Sequence, residues 1–283
     1  MRDAMALHDT WDVVDGIRVH GRSTDPAPRG SESQTLTPTE IVFVHGLGMS
    51  TRYLEPTMLA LAARGFAVCG LDLPGFGETR LPGRVASLVE LADVLAGWLR
   101  VRGLVGPRGP VLVGQSHGCQ VIVEAVVRVP DIASAVVLNA PTMLEGHRTV
   151  LGQAVRMAID SPREPLSLVP LVAREYLRAG PRRILVTLGH ALRDRIEDKL
   201  PRVAVPTMIA CGERDPVSPP RWGERLARLT GTAAAGGAPG APFRVVAGAA
   251  HAVPFSHPDA LAGLIAEQVG RRADRVESRG EKR

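Results

Sequence analysis

An α/β fold is what this sequence predicts: a mostly parallel, twisted sheet with helices on both faces and an inserted helical cap. Three observations carry the prediction. Short apolar runs alternate with amphipathic stretches from Ile41 to Leu138, and strands buried on both faces of a parallel sheet read as such runs. The alternation stops at Pro141 and resumes at Val205, so a block without strand character interrupts the sheet. The run Val111, Leu112, Val113 breaks into Gly114, Gln115, Ser116, His117, Gly118. It then turns at once into a helix whose one face carries Val121, Ile122, Ala125 and Val126.

The elements follow in order. Residues 11–22 alternate as two short strands around Asp15 and Gly16, a hairpin signal. Residues 23–39, rich in Pro, Ser, Thr and Gly, read as a loop. Strand Ile41 to Val44 leads to His45, Gly46, Leu47 and Gly48; a helix follows from about Thr51 to Arg64, and Phe66 to Leu71 is the next strand. Residues 87–102 form an amphipathic helix, with Ser87 and Glu90 spaced as a capping box. The elbow at Ser116, its helix to Val129 and the strand Ala135 to Leu138 complete the first part of the core, residues 1–141.

Residues 142–202 show helical patterns broken by Pro162, Pro165, Pro170, Gly180 and Pro181, and are expected to form the cap. The core resumes over 203–271 with strand Val205 to Cys211, helix Pro219 to Leu229, an Ala/Gly/Pro loop over 230–242, strand Phe243 to Ala247 and helix Pro258 to Arg271. Residues 272–283, mixed in charge and poor in apolar side chains, are expected to be disordered.

Composition narrows the function classes. The chain of 283 residues is 45% hydrophobic and 22% charged, ordinary values for a globular protein with a sizeable core. Its net charge of +5 comes from Arg, since Lys199 and Lys282 are the only lysines. The arginines are scattered among acidic residues without an aromatic-interleaved stripe, which argues against nucleic acid as a partner. No stretch reaches the length of a membrane span, and the N-terminus lacks the pattern of a signal peptide. Cys69, Cys119 and Cys211 sit in apolar surroundings without metal-ligand spacing and suit a reducing, cytoplasmic compartment. The expected partner is a small-molecule substrate, with no nucleic acid, membrane, metal or cofactor; the sequence leaves the oligomeric state open.

The chemistry sits at the ends of strands. A Ser hydroxyl needs a base to take its proton and an acid to orient that base. Ser116, Asp215 and His251 each stand just past a strand, on the edge where ligands bind in open α/β sheets. Glu145, after the preceding strand, is an alternative acid, and His257 an alternative to His251. His45 reads as a shaper of the loop after the first parallel strand, and Asp72 as a carboxylate that satisfies backbone N–H groups. For His117, tuning the site and simple packing remain equal readings.

Five segments resemble the α/β-hydrolase superfamily, in its serine-nucleophile branch of esterases, carbon–carbon bond hydrolases and cofactor-free haloperoxidases. They are the stretches from His45, Asp72, Gly114, Gly212 and Gly248, in family order over residues 41–270. The resemblance implies Ser116 as nucleophile, His251 as general base and Asp215 as its orienting acid. It implies an oxyanion hole from the backbone N–H groups of Leu47 and His117. Hydrolysis of a carboxylic ester through an acyl-serine is the expected activity. Leu151, Val155, Met157, Leu168, Val169 and Leu171 of the cap would suit a medium-sized apolar group. Carbon–carbon cleavage is the alternative with the same three residues, but Met49 and Cys119 stand where such members carry glycine. Acyl transfer and ligand binding without catalysis stay open.

Overall fold

The computed structural model describes residues 6–24, 40–106, 109–231 and 240–280, with side chains to Arg271. Strands β1 (Leu7–Val14) and β2 (Ile17–Thr24) form the expected hairpin across Asp15 and Gly16. Then come β3 (Glu40–Val44), β4 (Ala67–Leu71), β5 (Val111–Gln115), β6 (Ala135–Asn139), β7 (Thr207–Gly212) and β8 (Phe243–Val246). They join one eight-stranded sheet in the order β1-β2-β4-β3-β5-β6-β7-β8. The pairs from β4 to β8 are parallel, and β2 runs antiparallel to both of its neighbours.

The two faces of the sheet bury alternate residues of the same strands. Ile41 and Phe43 of β3 pack with Val111 and Val113 of β5, against α1 (Glu55–Ala62) and α10 (Pro258–Gly280). Val42 and Val44 face the other way with Leu112, Val136 and Leu138, beneath α2 (Leu88–Val101), α3 (His117–Arg128) and α8 (Pro220–Leu229). A strand with both faces buried can therefore be apolar throughout, which is what the sequence shows. The Ser87 and Glu90 capping box forms at the start of α2.

Between β6 and β7 the chain is helical: α4 (Val150–Asp160), α5 (Val169–Ala179), α6 (Pro181–Arg193) and α7 (Ile196–Lys199), with short 3-10 turns between. This inserted block touches the rim of the sheet at several points. Arg183 donates to the carbonyl oxygens of Leu81 and Arg84 at 2.8 and 3.1 Å. Arg178 pairs with Glu78 at 2.5 Å. A further short helix, α9 (Val253–Ser256), follows β8.

Two expectations need correction. The last helix runs on to Gly280, so the segment expected to be disordered from Arg272 is helical that far. Arg, Ala, Asp and Glu are compatible with a helix that already exists, and Arg271 adds an i,i+4 pair with Glu267 at 2.9 Å. Residues 281–283 lie outside the described residues. The loop expected from Ser23 begins later, because β2 continues to Thr24; residues 25–39, like 232–239 of the later loop, lie outside the described residues. Among the described residues no helix is long and apolar enough to cross a membrane.

Candidate active site

Three strand ends meet at the carboxyl edge of the sheet. Ser116 follows β5 with φ 54° and ψ −118°, a conformation that L-residues rarely hold. The flanking glycines make it possible. A Cβ at Gly114 would lie 2.9 Å from the backbone of Cys119, and one at Gly118 would lie 2.3 Å from the carbonyl oxygen of Val44. Strand and helix thus fold back on each other at contact distance, and Ser116 projects from the bend. Its own N–H donates to the carbonyl of Asn139 at 2.9 Å.

His251, on the loop after β8, brings its Nε2 to 3.0 Å from Ser116 Oγ. Its Nδ1 lies 2.8 Å from Asp215 Oδ2. A carboxylate only accepts, so Nδ1 carries a hydrogen, and in the neutral form of the ring the Nε2 lone pair faces the hydroxyl. Asp215 is itself fixed: its Oδ1 accepts the N–H groups of Val217 and Ser218 at 2.7 and 2.8 Å. The alternatives stand elsewhere. Glu145 pairs with Arg225, and His257 Nδ1 meets Ser256 Oγ at 2.9 Å.

Electrostatics at this imidazole oppose one another. Burial disfavours its charge, but the charge and hydrogen bond of Asp215, joined by the charges of Asp160 and Glu164, outweigh it and raise its pKa to about 9. The neighbouring ring behaves in the opposite way. Burial lowers His117 to about 4, and its Nδ1 meets Gln120 Oε1 at 2.9 Å. Gln120 Nε2 donates to Ala191 and Asp194, so the amide oxygen faces His117, which is neutral with its hydrogen on Nδ1.

The loop after β3 lies against the elbow. A Cβ at Gly46 would approach Ser116 Cβ to 3.2 Å. His45 shapes this loop: its Nδ1 donates to the Gly46 carbonyl at 2.8 Å, and its Nε2 accepts the N–H of Leu73 at 2.9 Å. Leu47 follows on this loop, and His117 begins α3, where the first N–H groups have no acceptor within the helix. Asp72 accepts from the N–H groups of Thr51 and Glu78, at 2.8 and 2.9 Å, and from His20 Nδ1 at 2.7 Å. The sequence reading anticipated this kind of role for it.

Residues 41–264 match the sequence profile of the Alpha/beta hydrolase family. The chain belongs to that family. Among relatives of this hydrolase, a Mycobacterium phage D29 protein named as a candidate non-heme haloperoxidase is 25% identical over 248 residues, covering 79% of this chain and 84% of that protein. A thermophilic esterase from Thermogutta terrifontis superposes with a TM-score of 0.70 at 22% identity, covering 94% of this chain and 99% of the other. The 2-hydroxy-6-oxo-6-phenylhexa-2,4-dienoate hydrolase of Rhodococcus sp. strain RHA1 gives 0.73 at 18% identity, covering 94% and 99%. These two structures share the hydrolase fold.

Several site residues had no role in the sequence reading. Gln115 Nε2 donates to the His251 carbonyl at 2.9 Å, and its Oε1 accepts from Asn139, joining three strand ends through buried amides. Over the loop after β3 stand Tyr176 and Ile184: a Cβ at Gly48 would meet them at 2.8 and 2.9 Å. Of the cap residues expected to line an apolar pocket, Leu151, Val155, Met157 and Val169 are exposed instead, while Leu168 is buried and Leu171 packs beside it. The pattern marked an apolar face on each helix; it could not say which way that face turns.

Proposed function

We propose that this hydrolase cleaves a carboxylic ester of a small or medium, largely apolar substrate through an acyl-Ser116 intermediate. The observation that carries the reading is the unbroken hydrogen-bonded chain from Ser116 through His251 to Asp215, at a strained elbow. His251 takes the Ser116 proton as Oγ attacks the ester carbon, and the N–H groups of Leu47 and His117 stabilise the oxyanion. His251 then gives that proton to the leaving alcohol. In the second half it deprotonates a water, which releases the acid and restores the serine. Asp215 holds the tautomer and stabilises the imidazolium formed in each half.

Apolar surface near the oxyanion loop, from Tyr176 and Ile184, supports a largely apolar substrate, with the inserted block as its cap. No step requires a cofactor, nucleic acid or membrane. Free, buried Cys69, Cys119 and Cys211 fit a cytoplasmic protein.

A fluorophosphonate probe tests the reading. It is expected to label Ser116 in folded protein, and Ser116→Ala is expected to lose labelling. The same variant should reduce turnover of a short-chain p-nitrophenyl ester by at least about a thousandfold, with Tm unchanged. Turnover retained in the variant refutes the assignment. An unlabelled native protein points to ligand binding, and turnover of vinylogous diketones in preference to esters points to carbon–carbon cleavage.

A further inference from the structure

His251 is held by its backbone as well as by its ring. Asp160, the last residue of α4, accepts the His251 N–H on Oδ1 at 3.2 Å. Glu164, after the 3-10 turn Ser161–Arg163, accepts the Ala252 N–H on Oε1 at 2.6 Å. From the other side Gln115 donates to the His251 carbonyl at 2.9 Å. The His251–Ala252 peptide is thus held at its carbonyl by the elbow strand and at its N–H by the inserted block, which also holds the N–H of His251 itself. The same helix also reaches the acid: Arg156 donates to the carbonyl of Pro216, next to Asp215. Asp160 is only 3% exposed. A carboxylate so placed needs compensating hydrogen bonds and positive charge, and the histidine loop supplies both.

We propose that Asp160 and Glu164 are positioning residues that couple the seating of α4 on the sheet rim to the alignment of His251 with Ser116. The inference rests on the reading of Ser116 and His251 as nucleophile and base. With α4 seated, both N–H groups of the loop have fixed acceptors and the ring is held toward the hydroxyl. With α4 lifted, both acceptors leave, and the loop keeps Gln115 and Asp215.

The two carboxylates also act through charge. The carboxylates whose charges act on the imidazole are Asp215 after β7 and Asp160 and Glu164 from the inserted block; Tyr53, after β3, lies in the field of the same three. Arg163 lies in the field of Asp160, and Arg156 in that of Asp215. Burial raises the pKa of Asp160 and Glu164; Asp215 raises both further, and the His251 charge offsets part of the effect. Burial, and the charges of Glu164, Asp160 and Asp215, keep the Tyr53 phenol neutral. Two of the three anions favouring an imidazolium therefore arrive with the block.

The test separates charge from position. Asp160→Asn keeps an acceptor for the His251 N–H and removes the charge; Asp160→Ala removes both. In the double variant Asp160→Asn with Glu164→Gln, the His251 ring followed by NMR should titrate about one unit lower. The acid limb of kcat/KM should move with it while KM stays level. Fluorophosphonate labelling of Ser116 should slow at least about tenfold in Asp160→Ala, and Asp160→Asn should restore most of that rate. An unmoved His251 titration in the folded double variant overturns the electrostatic part, and unslowed labelling in folded Asp160→Ala overturns the positional part. If Asp160→Ala does not fold, the Asn and Gln variants decide the matter. If native Ser116 takes no label, the proposed function fails, and the NMR titration alone judges whether the block governs His251.

Discussion

The sheet and the inserted block bury opposite kinds of side chain. Along β3, β5 and β6 the residues from Ile41 to Val44, Val111 to Gly114 and Ala135 to Leu138 are apolar or glycine and buried on both faces, with polar Glu40, Gln115 and Asn139 only at strand ends. In the block, α4 buries Gln153 and Asp160 and exposes Leu151, Val155 and Ile159. Helix α5 buries Glu175 and exposes Val169 and Leu177. Where a large apolar core lies on one side, the hydrophobic effect alone orients an element. Where a helix lies across a polar rim lined with backbone donors and arginine-bonded carbonyls, hydrogen bonds choose the inward face, and the apolar stripe is left outside.

The largest expected effect tests the rim built by the sheet. Asp215→Asn preserves shape but offers an amide where the imidazole needs an acceptor, so kcat for ester turnover should drop roughly a thousandfold or more. Glu145→Gln should leave it level, because Glu145 faces Arg225 rather than His251. A reversed outcome would move the acid to β6 and remove the reason for the Asp215 loop. Next comes the elbow. Gly118→Ala places a methyl 2.3 Å from the Val44 carbonyl, and should cost about 2–4 kcal/mol of stability in denaturant melts along with the activity.

Those two sites explain how much could be read in advance. Strands buried on both faces, the glycines of the elbow and the placing of Ser116, Asp215 and His251 at strand ends depend on local rules, and the sequence carries them openly. What it did not disclose depends on distant partners. Gln115 was visible beside Ser116, but its bond to the His251 carbonyl spans the sheet. Asp160 and Glu164 lie in a proline-broken stretch whose docking no periodicity encodes. The helical continuation beyond Arg272 was missed because low hydrophobicity was read as disorder, although a charged segment can extend a helix that packing has already nucleated.

A smaller effect joins the two regions through pH. Neutral His251 is the form that can accept the Ser116 proton, and its pKa of about 9 keeps the ring charged over much of the neutral range. Ester kcat/KM should therefore climb about tenfold per unit on the acid side and level off above that value. Stability should run the other way. A histidine raised from its ordinary 6.5 contributes stability fully below that pH and loses it as pH rises toward about 9. A kcat/KM profile already flat from pH 7 would show that the block's carboxylates are protonated or displaced in the working enzyme.

The smallest effect asks whether the outer face of the block is free. Leu177 on α5 is 83% exposed, so Leu177→Ser removes an apolar surface that gains nothing from the fold. The stability change should stay within about 0.5 kcal/mol, with ester kcat unchanged. Sedimentation of both proteins checks the assumption behind that figure. A native dimer that the serine variant splits, or a loss well above that limit, would mean that the exposed stripe is a contact surface. The block would then resemble the sheet after all, apolar where it is covered, with a partner copy providing the cover.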